Sequence, residues 1–407
     1  MTFTRTAQAS TTAVVAVIAL LGTTVPAHAD AAPRVRLPAG AWVMTRTTDG
    51  QVNVVTGREA LEVTTNATEG APGPSVLSVE PDQTVHALEI AGHENDPMRS
   101  QQWALDRTSF EQAWAVTRGH GVKVAVIDSG VAVNHQELQG SVLRGIDYIN
   151  PGTQGRTDPD GHGTHVAGII AAHVNNAVGI DGAAPGVQIL PVRVLDASGS
   201  GSASNVAKGI IWATDHGARV INLSLGGGKS EGLRQALQYA NAKQVVVVSA
   251  GGNNAQAGNA PMYPAAYPEA IAVASIDSNL AHSAFSNTGR YLDVSAPGEG
   301  IVSSWGTSNT AYADASGTSM ATPYAAAVAA LIIATTPKLS ASRVKQIMRN
   351  TATHLGANTV FGHGLINPTA AVLTARAYRA TAHPSHAQIT RQSNRFYFNQ
   401  YMKALRN

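Results

Sequence analysis

The fold of this chain is decided by the stretch VKVAVIDSG, residues 122–130. Its first six residues are almost all apolar and mostly β-branched, which is typical of a strand buried on both faces of a sheet. Asp128 ends the strand and is followed by a Ser-Gly turn. In an open parallel sheet, ligands bind at the carboxyl ends of the strands. The stretch therefore predicts a buried strand with a carboxylate at the binding edge, although Asp128 alone is also compatible with an ordinary turn residue.

Similar apolar runs alternate with helical patterns from Gln101 onward, which is typical of parallel strands covered by helices on both faces. We predict strands at residues 122–127, 187–194, 220–224, 245–249 and 271–275. We predict helices at residues 162–172, 205–216, 231–242, 319–335 and 340–351. The expected fold class is α/β, with a doubly wound and mostly parallel sheet flanked by helices.

The composition indicates a globular protein without a strong electrostatic preference for a partner. Of the 407 residues, 44% are hydrophobic and 13% are charged, and the formal net charge is +2. This charge is too small to favour nucleic acid or an anionic membrane. The chain has no cysteine, so its stability has to come from packing or from bound ions. A monomer is the default expectation.

The first 29 residues have the pattern of a cleaved export signal. Arg5 precedes an apolar run at residues 12–22, and Ala27-His28-Ala29 supplies the small residues that signal peptidase accepts. The run is shorter than the ~20 apolar residues of a membrane-spanning helix. No later stretch looks long and apolar enough to span a bilayer either. We therefore predict a signal peptide at residues 1–29 and a secreted, extracellular protein without a membrane segment in its mature form.

Two further segments flank the α/β region. Residues 30–97 contain short alternating strands broken by a Gly- and Pro-rich cluster at 70–74, which indicates a small separate unit. From Arg376 onward the charged residues are all basic, which favours a solvated basic tail at residues 376–407.

A second chemical motif is DGHGTHVAG at residues 160–168. Glycines flank His162 and leave space beside its ring, and an apolar helix follows. An imidazole that faces a carboxylate can have its Nδ1–H held there, which leaves Nε2 free to accept a proton. The alternative is a metal site formed by His162 and His165, but the Glu of an HExxH zinc helix is absent between them.

The third motif is SGTSMATPY at residues 316–324, directly ahead of an apolar helix of small residues. Ser319 has two interpretations at this position. It caps the helix, which is the usual role of a serine there. Alternatively, it is a nucleophile whose backbone N–H helps to bind the oxyanion that its attack creates.

Together the three motifs resemble those of the subtilisin-like serine protease family. The matching stretches are VAVIDSG at 124–130, HGTHVAG at 162–168 and GTSMATP at 317–323. They follow one another in the family's order Asp, His, Ser. The resemblance implies a peptidase domain at residues 98–375 in which Asp128, His162 and Ser319 form a catalytic triad that needs no cofactor. It also implies a serine endopeptidase whose protein or peptide substrates bind as extended strands.

The resemblance extends to the way the enzyme is made. It identifies residues 30–97 as a small α+β inhibitory propeptide, which the enzyme removes from its own precursor. The alternative function is an exported binding or scaffold protein that kept the fold but lost turnover. The presence of all three motif residues favours the peptidase.

Substrate-contacting residues also follow from the resemblance. The stretch VVVVSAGGN at 245–253 resembles the family's strand that ends in Gly-Asn, which assigns the side chain of Asn253 to the oxyanion hole. Substrate-binding residues are expected at Gly199, Ser200, Gly201, Ser224, Leu225, Gly226, Ala250, Gly251 and Gly252. The glycines favour a pocket for large apolar side chains, whereas Met262 is expected at its floor, where a smaller residue is usual.

The stretch VNNAVGI at 174–180 resembles the family's calcium-binding loop. The implied ligands of a structural Ca²⁺ are Glu137, Val174, Asn176, Val178 and Ile180, which would supply the oxygen atoms that Ca²⁺ prefers. Glu137 stands where the family usually has Asp. The alternative is that the stretch is an ordinary turn.

Overall fold

The computed structural model describes residues 37, 41–48, 52–68, 72–81 and 95–382. The predicted signal peptide and most of the predicted basic tail lie outside the described residues. Contacts divide the chain into two compact units, with the division between Leu88 and Glu89. The boundary predicted at residue 97 therefore falls within the second unit.

The first unit is a small α+β fold. Its elements are β1 (Ala41–Arg46), β2 (Val52–Thr56), α1 (Gly57–Thr68) and β3 (Ser75–Pro81). The strands form an antiparallel sheet in the order β2-β1-β3. Val43, Val55 and Ala60 are buried together and form the core of this unit. The unit therefore has the α+β organisation expected of this segment.

The second unit is built around a seven-stranded sheet in which every pair of neighbouring strands is parallel. Its strands are β4 (Lys123–Asp128), β5 (Ile146–Asp147), β6 (Gln188–Arg193), β7 (Val220–Leu223), β8 (Val246–Ala250), β9 (Ala270–Ile276) and β10 (Val294–Pro297). They lie in the order β10-β9-β8-β7-β4-β6-β5. A separate antiparallel pair consists of β11 (Ile301–Ser304) and β12 (Tyr312–Ala315).

Helices cover both faces of this sheet. They are α2 (Trp103–Thr108), α3 (Phe110–Trp114), α4 (His162–Ala171), α5 (Ala203–Asp215), α6 (Glu231–Ala242), α7 (Thr318–Thr335), α8 (Ala341–Thr351), α9 (Asn358–Phe361) and α10 (Pro368–Ala382). Val124 and Val126 of β4 pack into the core beneath α4 and α7, whereas Ala125 and Ile127 pack into the core beneath α5 and α6. This alternation explains why the strand is apolar throughout. The predicted α/β class is confirmed.

Helix α7 is apolar on all sides and lies in the core. It is long and apolar enough to cross a membrane by length and composition, but 89% of it is buried within the protein. The expectation that no stretch after the export signal has these properties is therefore wrong. The burial explains the composition, because α7 is packed between the sheet, α4 and α10.

The strand order reverses beside β4. The chain passes from β4 to β5 and β6 on one side, and then crosses to β7 on the other side. Connections that leave in opposite directions open a crevice at the carboxyl ends of the strands. Asp128 is the last residue of β4 and lies at this crevice.

Candidate active site

Asp128 is completely buried at the end of β4. Its Oδ1 accepts hydrogen bonds from the backbone N–H of Ser129 at 2.7 Å and from Nδ1 of His162 at 2.8 Å. Its Oδ2 has no hydrogen-bond partner within the described part of the chain. A buried carboxylate of this kind is stabilised by charge and hydrogen bonds from its neighbours. Asp128 therefore fixes both the orientation and the tautomer of His162.

His162 reaches Asp128 because α4 starts directly against the end of β4. A Cβ atom on Gly163 would lie 2.1 Å from the carbonyl oxygen of Gly130 and 3.2 Å from Cβ of Asp128. Only glycine permits so close an approach. The glycine after the imidazole thus brings the helix within hydrogen-bonding distance of the strand.

A second buried carboxylate, Asp158, holds the turn before α4. It accepts hydrogen bonds from the backbone N–H of Gly161, from the hydroxyl of Ser129, and from both N–H and hydroxyl of Thr164. The Ser129 hydroxyl in turn accepts from the N–H of Gly163 at 2.9 Å. Asp158 carries no signal in the sequence, because its role depends on donors that converge only in the folded protein.

Opposing effects set the pKa of His162. Burial lowers this pKa, whereas the charge and hydrogen bond of Asp128 raise it, as do the charges of Asp160 and Asp158. The result is that the pKa of His162 is raised to about 9. Because an imidazole accepts a proton only when it is neutral, this shift favours proton transfer at alkaline pH.

The two histidines of the second motif have different surroundings. His165 is fully buried, and its Nε2 lies 3.0 Å from the carbonyl oxygen of Ile301. Burial and the nearby His162 lower the pKa of His165 to about 4. Within the described ranges, no group of three or more His, Cys, Asp or Glu side chains is arranged to hold a metal ion. Nδ1 of His162 is bonded to Asp128 and Nε2 of His165 lies at hydrogen-bonding distance from backbone carbonyl oxygens, so the two rings have different partners.

Ser319 is the second residue of α7 and exchanges two hydrogen bonds with Ser224, just after β7. The Ser319 hydroxyl donates to the carbonyl oxygen of Ser224 at 3.0 Å, and the Ser224 hydroxyl donates to the carbonyl oxygen of Ser319 at 2.7 Å. Asn222 donates from Nδ2 to the Ser224 hydroxyl at 2.9 Å. These contacts join the start of α7 to the end of β7, which places Ser319 at the crevice.

Asn253 is held beside Ser319 by Thr318. The side-chain oxygen of Asn253 accepts from the N–H of Thr318 at 2.9 Å and from its hydroxyl at 2.8 Å. Because the oxygen is engaged by Thr318, the amide nitrogen is the part of the Asn253 side chain that can donate to a bound group. A Cβ atom on Gly317 would lie 3.2 Å from this nitrogen and 3.6 Å from the backbone nitrogen of Ser319. The amide nitrogen of Asn253 and the backbone nitrogen of Ser319 therefore border the same small space beside Gly317.

His162 and Ser319 both line an open cavity of about 620 Å³. Six of the expected substrate-binding residues also line it, namely Gly199, Ser200, Gly201, Ser224, Leu225 and Gly226. Sequence analysis did not select Asp160 and Tyr263, which line the same cavity. Asp160 had a visible signal, because it lies two residues before His162 in the motif.

The other three expected substrate-binding residues, Ala250, Gly251 and Gly252, do not line this cavity. The carbonyl oxygen of Gly251 accepts a hydrogen bond from the hydroxyl of Tyr291 at 2.7 Å. Gly252 faces Met262, whose Cβ would lie 2.9 Å from a Cβ atom added to this glycine. Met262 therefore packs against Gly252, one of the glycines that were expected to leave room for a large apolar side chain.

The predicted calcium loop packs against two buried acids. Asp96 accepts from the backbone N–H groups of Asn176 and Ala177 at 2.9 and 2.8 Å. Glu137 accepts from the backbone N–H of Ile180 at 2.8 Å and from the hydroxyl of Tyr312 at 2.7 Å. Burial raises the pKa of Glu137 to about 7. Sequence analysis did not select Asp96.

The chemistry of this loop fits a hard cation. Across the described residues, no donor reaches the carbonyl oxygens of Val174, Val178 and Ile180. The buried Glu137 and the side-chain oxygen of Asn176 likewise offer oxygen atoms, the ligand type that Ca²⁺ prefers.

A carboxylate, an imidazole and a serine at the carboxyl edge of a parallel α/β sheet indicate a serine-type hydrolase. Comparison with known proteins agrees with this class. Residues 119–364 match the profile of the subtilase family. The chain belongs to the subtilase family and is a subtilisin-like serine endopeptidase.

Individual relatives cover roughly two thirds of the chain. Over 283 residues the chain is 48% identical to "Thermitase" of Thermoactinomyces vulgaris, which covers 68% of this chain and 98% of that protein. It is 46% identical over 257 residues to "Subtilisin DY" of Bacillus licheniformis, with 62% and 92% covered. A solved protease structure from Pseudoalteromonas arctica has a TM-score of 0.64 and 32% identity, and covers 70% of this chain and 100% of that one.

Proposed function

We propose that Asp128, His162 and Ser319 form the catalytic triad of this endopeptidase. The observation that carries the proposal is the 2.8 Å hydrogen bond from His162 to the buried Asp128, at the edge of a cavity that Ser319 also lines. With Nδ1 held by the carboxylate, Nε2 is the nitrogen available to the nucleophile. Asp128 orients the ring and stabilises the imidazolium without taking up the proton itself.

The reaction begins with a rotation of the Ser319 side chain away from the Ser224 carbonyl toward His162. The Ser319 oxygen then bonds to the carbonyl carbon of the substrate as its proton passes to Nε2 of His162. When the tetrahedral intermediate collapses, the C–N bond breaks and the same proton moves to the leaving amine. A water molecule repeats these steps on the acyl-enzyme and releases the acid.

The oxyanion of each tetrahedral intermediate lies between two donors in this proposal. One is the side-chain amide of Asn253, which Thr318 orients through the amide oxygen. The other is the backbone N–H of Ser319 in the first turn of α7, where helical N–H groups have no intrahelical partner. Such preorganised donors stabilise developing charge more than water does, because they need not reorient.

Substrates bind as extended strands along the cavity. Its two sides are formed by residues 199–201, after β6, and by residues 224–226, after β7. Pairing through main-chain groups requires little of the substrate sequence, so flexible segments of many proteins fit.

The protein is made as a precursor that is secreted and then processed. The N-terminal pattern supports secretion, and the separate α+β unit supports a propeptide that assists folding and inhibits the enzyme until it is removed. Such assistance suits a protease whose operational stability is kinetic. Mature enzyme acts outside the cell as a monomer.

A structural Ca²⁺ is the further part of the proposal. Glu137, Val174, Asn176, Val178 and Ile180 would hold it through oxygen atoms. A bound ion would neutralise the buried carboxylate of Glu137 and stabilise the loop at residues 174–180, and the proposed chemistry at Ser319 does not require it.

The test is labelling of the processed protein with a fluorophosphonate, followed by peptide mapping. We expect the label on Ser319 and hydrolysis of casein. Ser319→Ala should abolish both and stay full length with its propeptide attached. The control is Ser316→Ala, three residues away and exposed, which should label and process normally.

The alternative is an exported scaffold without turnover. Folded wild-type protein that neither labels nor cleaves casein would favour it and overturn the triad.

A further inference from the structure

Asn222 is a polar residue in the middle of the apolar parallel sheet. It lies in β7, where its register partners are Val126 of β4 and Val248 of β8. All three residues are completely buried. Within the described residues, Oδ1 of Asn222 has no hydrogen-bond partner. A buried amide with an unpaired oxygen costs free energy that a valine or leucine would not. The sheet alone therefore does not explain why asparagine occupies this position.

The amide nitrogen of Asn222 contacts Ser224. Nδ2 of Asn222 donates to the Ser224 hydroxyl at 2.9 Å, and this hydroxyl donates to the carbonyl oxygen of Ser319 at 2.7 Å. A serine hydroxyl has only one proton, which it cannot donate to a group from which it accepts. The N–H of Asn222 thus leaves this proton available for the Ser319 carbonyl. Asn222 thereby sets the direction of the hydrogen bond that joins Ser224 to Ser319.

This hydrogen bond becomes more important during the reaction. In the free enzyme a second bond joins the two residues, from the Ser319 hydroxyl to the Ser224 carbonyl oxygen at 3.0 Å. The proposed attack breaks the second bond, because the Ser319 hydroxyl turns toward His162. Of the two bonds, only the one from the Ser224 hydroxyl then still joins the end of β7 to the first turn of α7. That turn carries the backbone N–H of Ser319, one of the two proposed oxyanion donors.

We propose that Asn222 is a positioning residue that acts through the Ser224 hydroxyl and holds Ser319 in place while the peptide bond is attacked. This inference rests on the proposed function, because it assumes that Ser319 is the nucleophile. Asn222 does not line the cavity that contains His162 and Ser319. Its effect should therefore appear in kcat rather than in KM, since both hydrogen bonds hold Ser319 until the attack begins.

The test is a double-mutant cycle of Asn222→Leu and Ser224→Ala, measured with a peptide p-nitroanilide. Leucine has nearly the shape of asparagine but donates no hydrogen bond. Each single variant should lower kcat by about three- to tenfold, the effect of one net hydrogen bond, and should change KM by less than about twofold. The double variant should be little slower than the slower single variant, because both changes break one chain of hydrogen bonds.

Ser249→Ala is the matched control. Ser249 lies in the neighbouring strand β8 and is completely buried, and its hydroxyl has no partner within the described part of the chain. Removal of this hydroxyl should leave kcat unchanged. Active enzyme is counted in every variant by titration with a fluorophosphonate, so that a loss of folded protein does not lower the measured kcat. If Asn222→Leu does not fold, Asn222→Ala takes its place in the cycle with the same expected loss.

A folded Asn222 variant with wild-type kcat per titrated site would overturn the inference, even if its melting temperature is lower. So would losses in kcat that multiply in the double variant. In both cases labelling of Ser319 would show that the proposed function stands. Absence of labelling in wild-type enzyme would overturn the proposed function, and the inference with it.

Discussion

Replacement of Gly317 by alanine should disable the enzyme without unfolding it. The backbone of Gly317 is extended, with φ 160° and ψ 160°, so alanine fits this conformation. The added methyl group would lie 3.2 Å from the amide nitrogen of Asn253 and 3.6 Å from the nitrogen of Ser319. An oxyanion has to approach such donors to about 2.7–3.1 Å. The methyl group therefore takes the place of the oxyanion.

The magnitude follows from the lost donors. Removal of one oxyanion donor lowers kcat by about 10²–10³, or about 2.7–4 kcal/mol of transition-state stabilisation, a figure that comes from a subtilisin. We expect Gly317→Ala to lower kcat at least this much, with KM changed little because the ground-state carbonyl makes weaker use of these donors. The melting temperature should change little.

The assay is steady-state hydrolysis of a chromogenic peptide, with calorimetry as the control for folding. Asn253→Ala should lower kcat by about 10²–10³. The double variant Gly317→Ala/Asn253→Ala should be little worse than the worse single variant, because both changes disable one site. Near-normal kcat in Gly317→Ala, or losses that multiply in the double variant, would refute the two-donor geometry.

Three further predictions concern the triad, its pH dependence and the metal. Asp128→Asn keeps the shape of the side chain but favours the wrong tautomer of His162, so kcat should fall about 10⁴-fold; a fall below tenfold, measured with folded enzyme, would contradict the role of Asp128. Because His162 must be neutral and its pKa is raised from 6.5 to about 9, kcat/KM should increase with pH along an acidic limb above pH 6.5. Asp160→Asn removes a charge that raises this pKa and should move the limb to lower pH; an unmoved limb in the pH profile would exclude this contribution. EGTA should shorten the half-life at elevated temperature in wild-type enzyme but much less in Glu137→Gln, and equal wild-type half-lives with and without chelator would remove the calcium proposal.

Most of the long elements of the second unit were predictable because each carries its signal locally. The exception is α10 (Pro368–Ala382), which was not predicted and extends into the segment expected to be a solvated basic tail. The strand predicted at residues 220–224 is β7, Val220–Leu223, and the helix predicted at 231–242 has these bounds in α6. Continuous Val and Ile residues identify the buried strands. Ser230 identifies a helix start, since its hydroxyl accepts from the N–H of Leu233.

Short elements escaped prediction because their neighbours stabilise them. β5 has only two residues, Ile146 and Asp147, and exists through its pairing with β6. The expected α+β class implied a helix in the first unit, but the position of α1 was not predicted, because its sequence mixes polar and β-branched residues and it forms against a sheet. Local propensity says little about such elements.

In the candidate site, too, some residues carry a local sequence signal and others depend on distant neighbours. Asp128, His162 and Ser319 were selected because each stands in a short motif with its own signal. The hydrogen bonds of Asp158 come partly from a residue distant in sequence, Ser129, so no local pattern identified its role.

The burial of α7 has a consequence for the newly made chain. Before the parallel sheet assembles, this helix is a continuous apolar segment that neighbouring chains or a bilayer would attract. Parallel strands pair over long sequence distances and therefore assemble slowly. The yield of active protease thus depends on relative rates. The sheet has to assemble and bury α7 before α7 associates with another chain or a membrane.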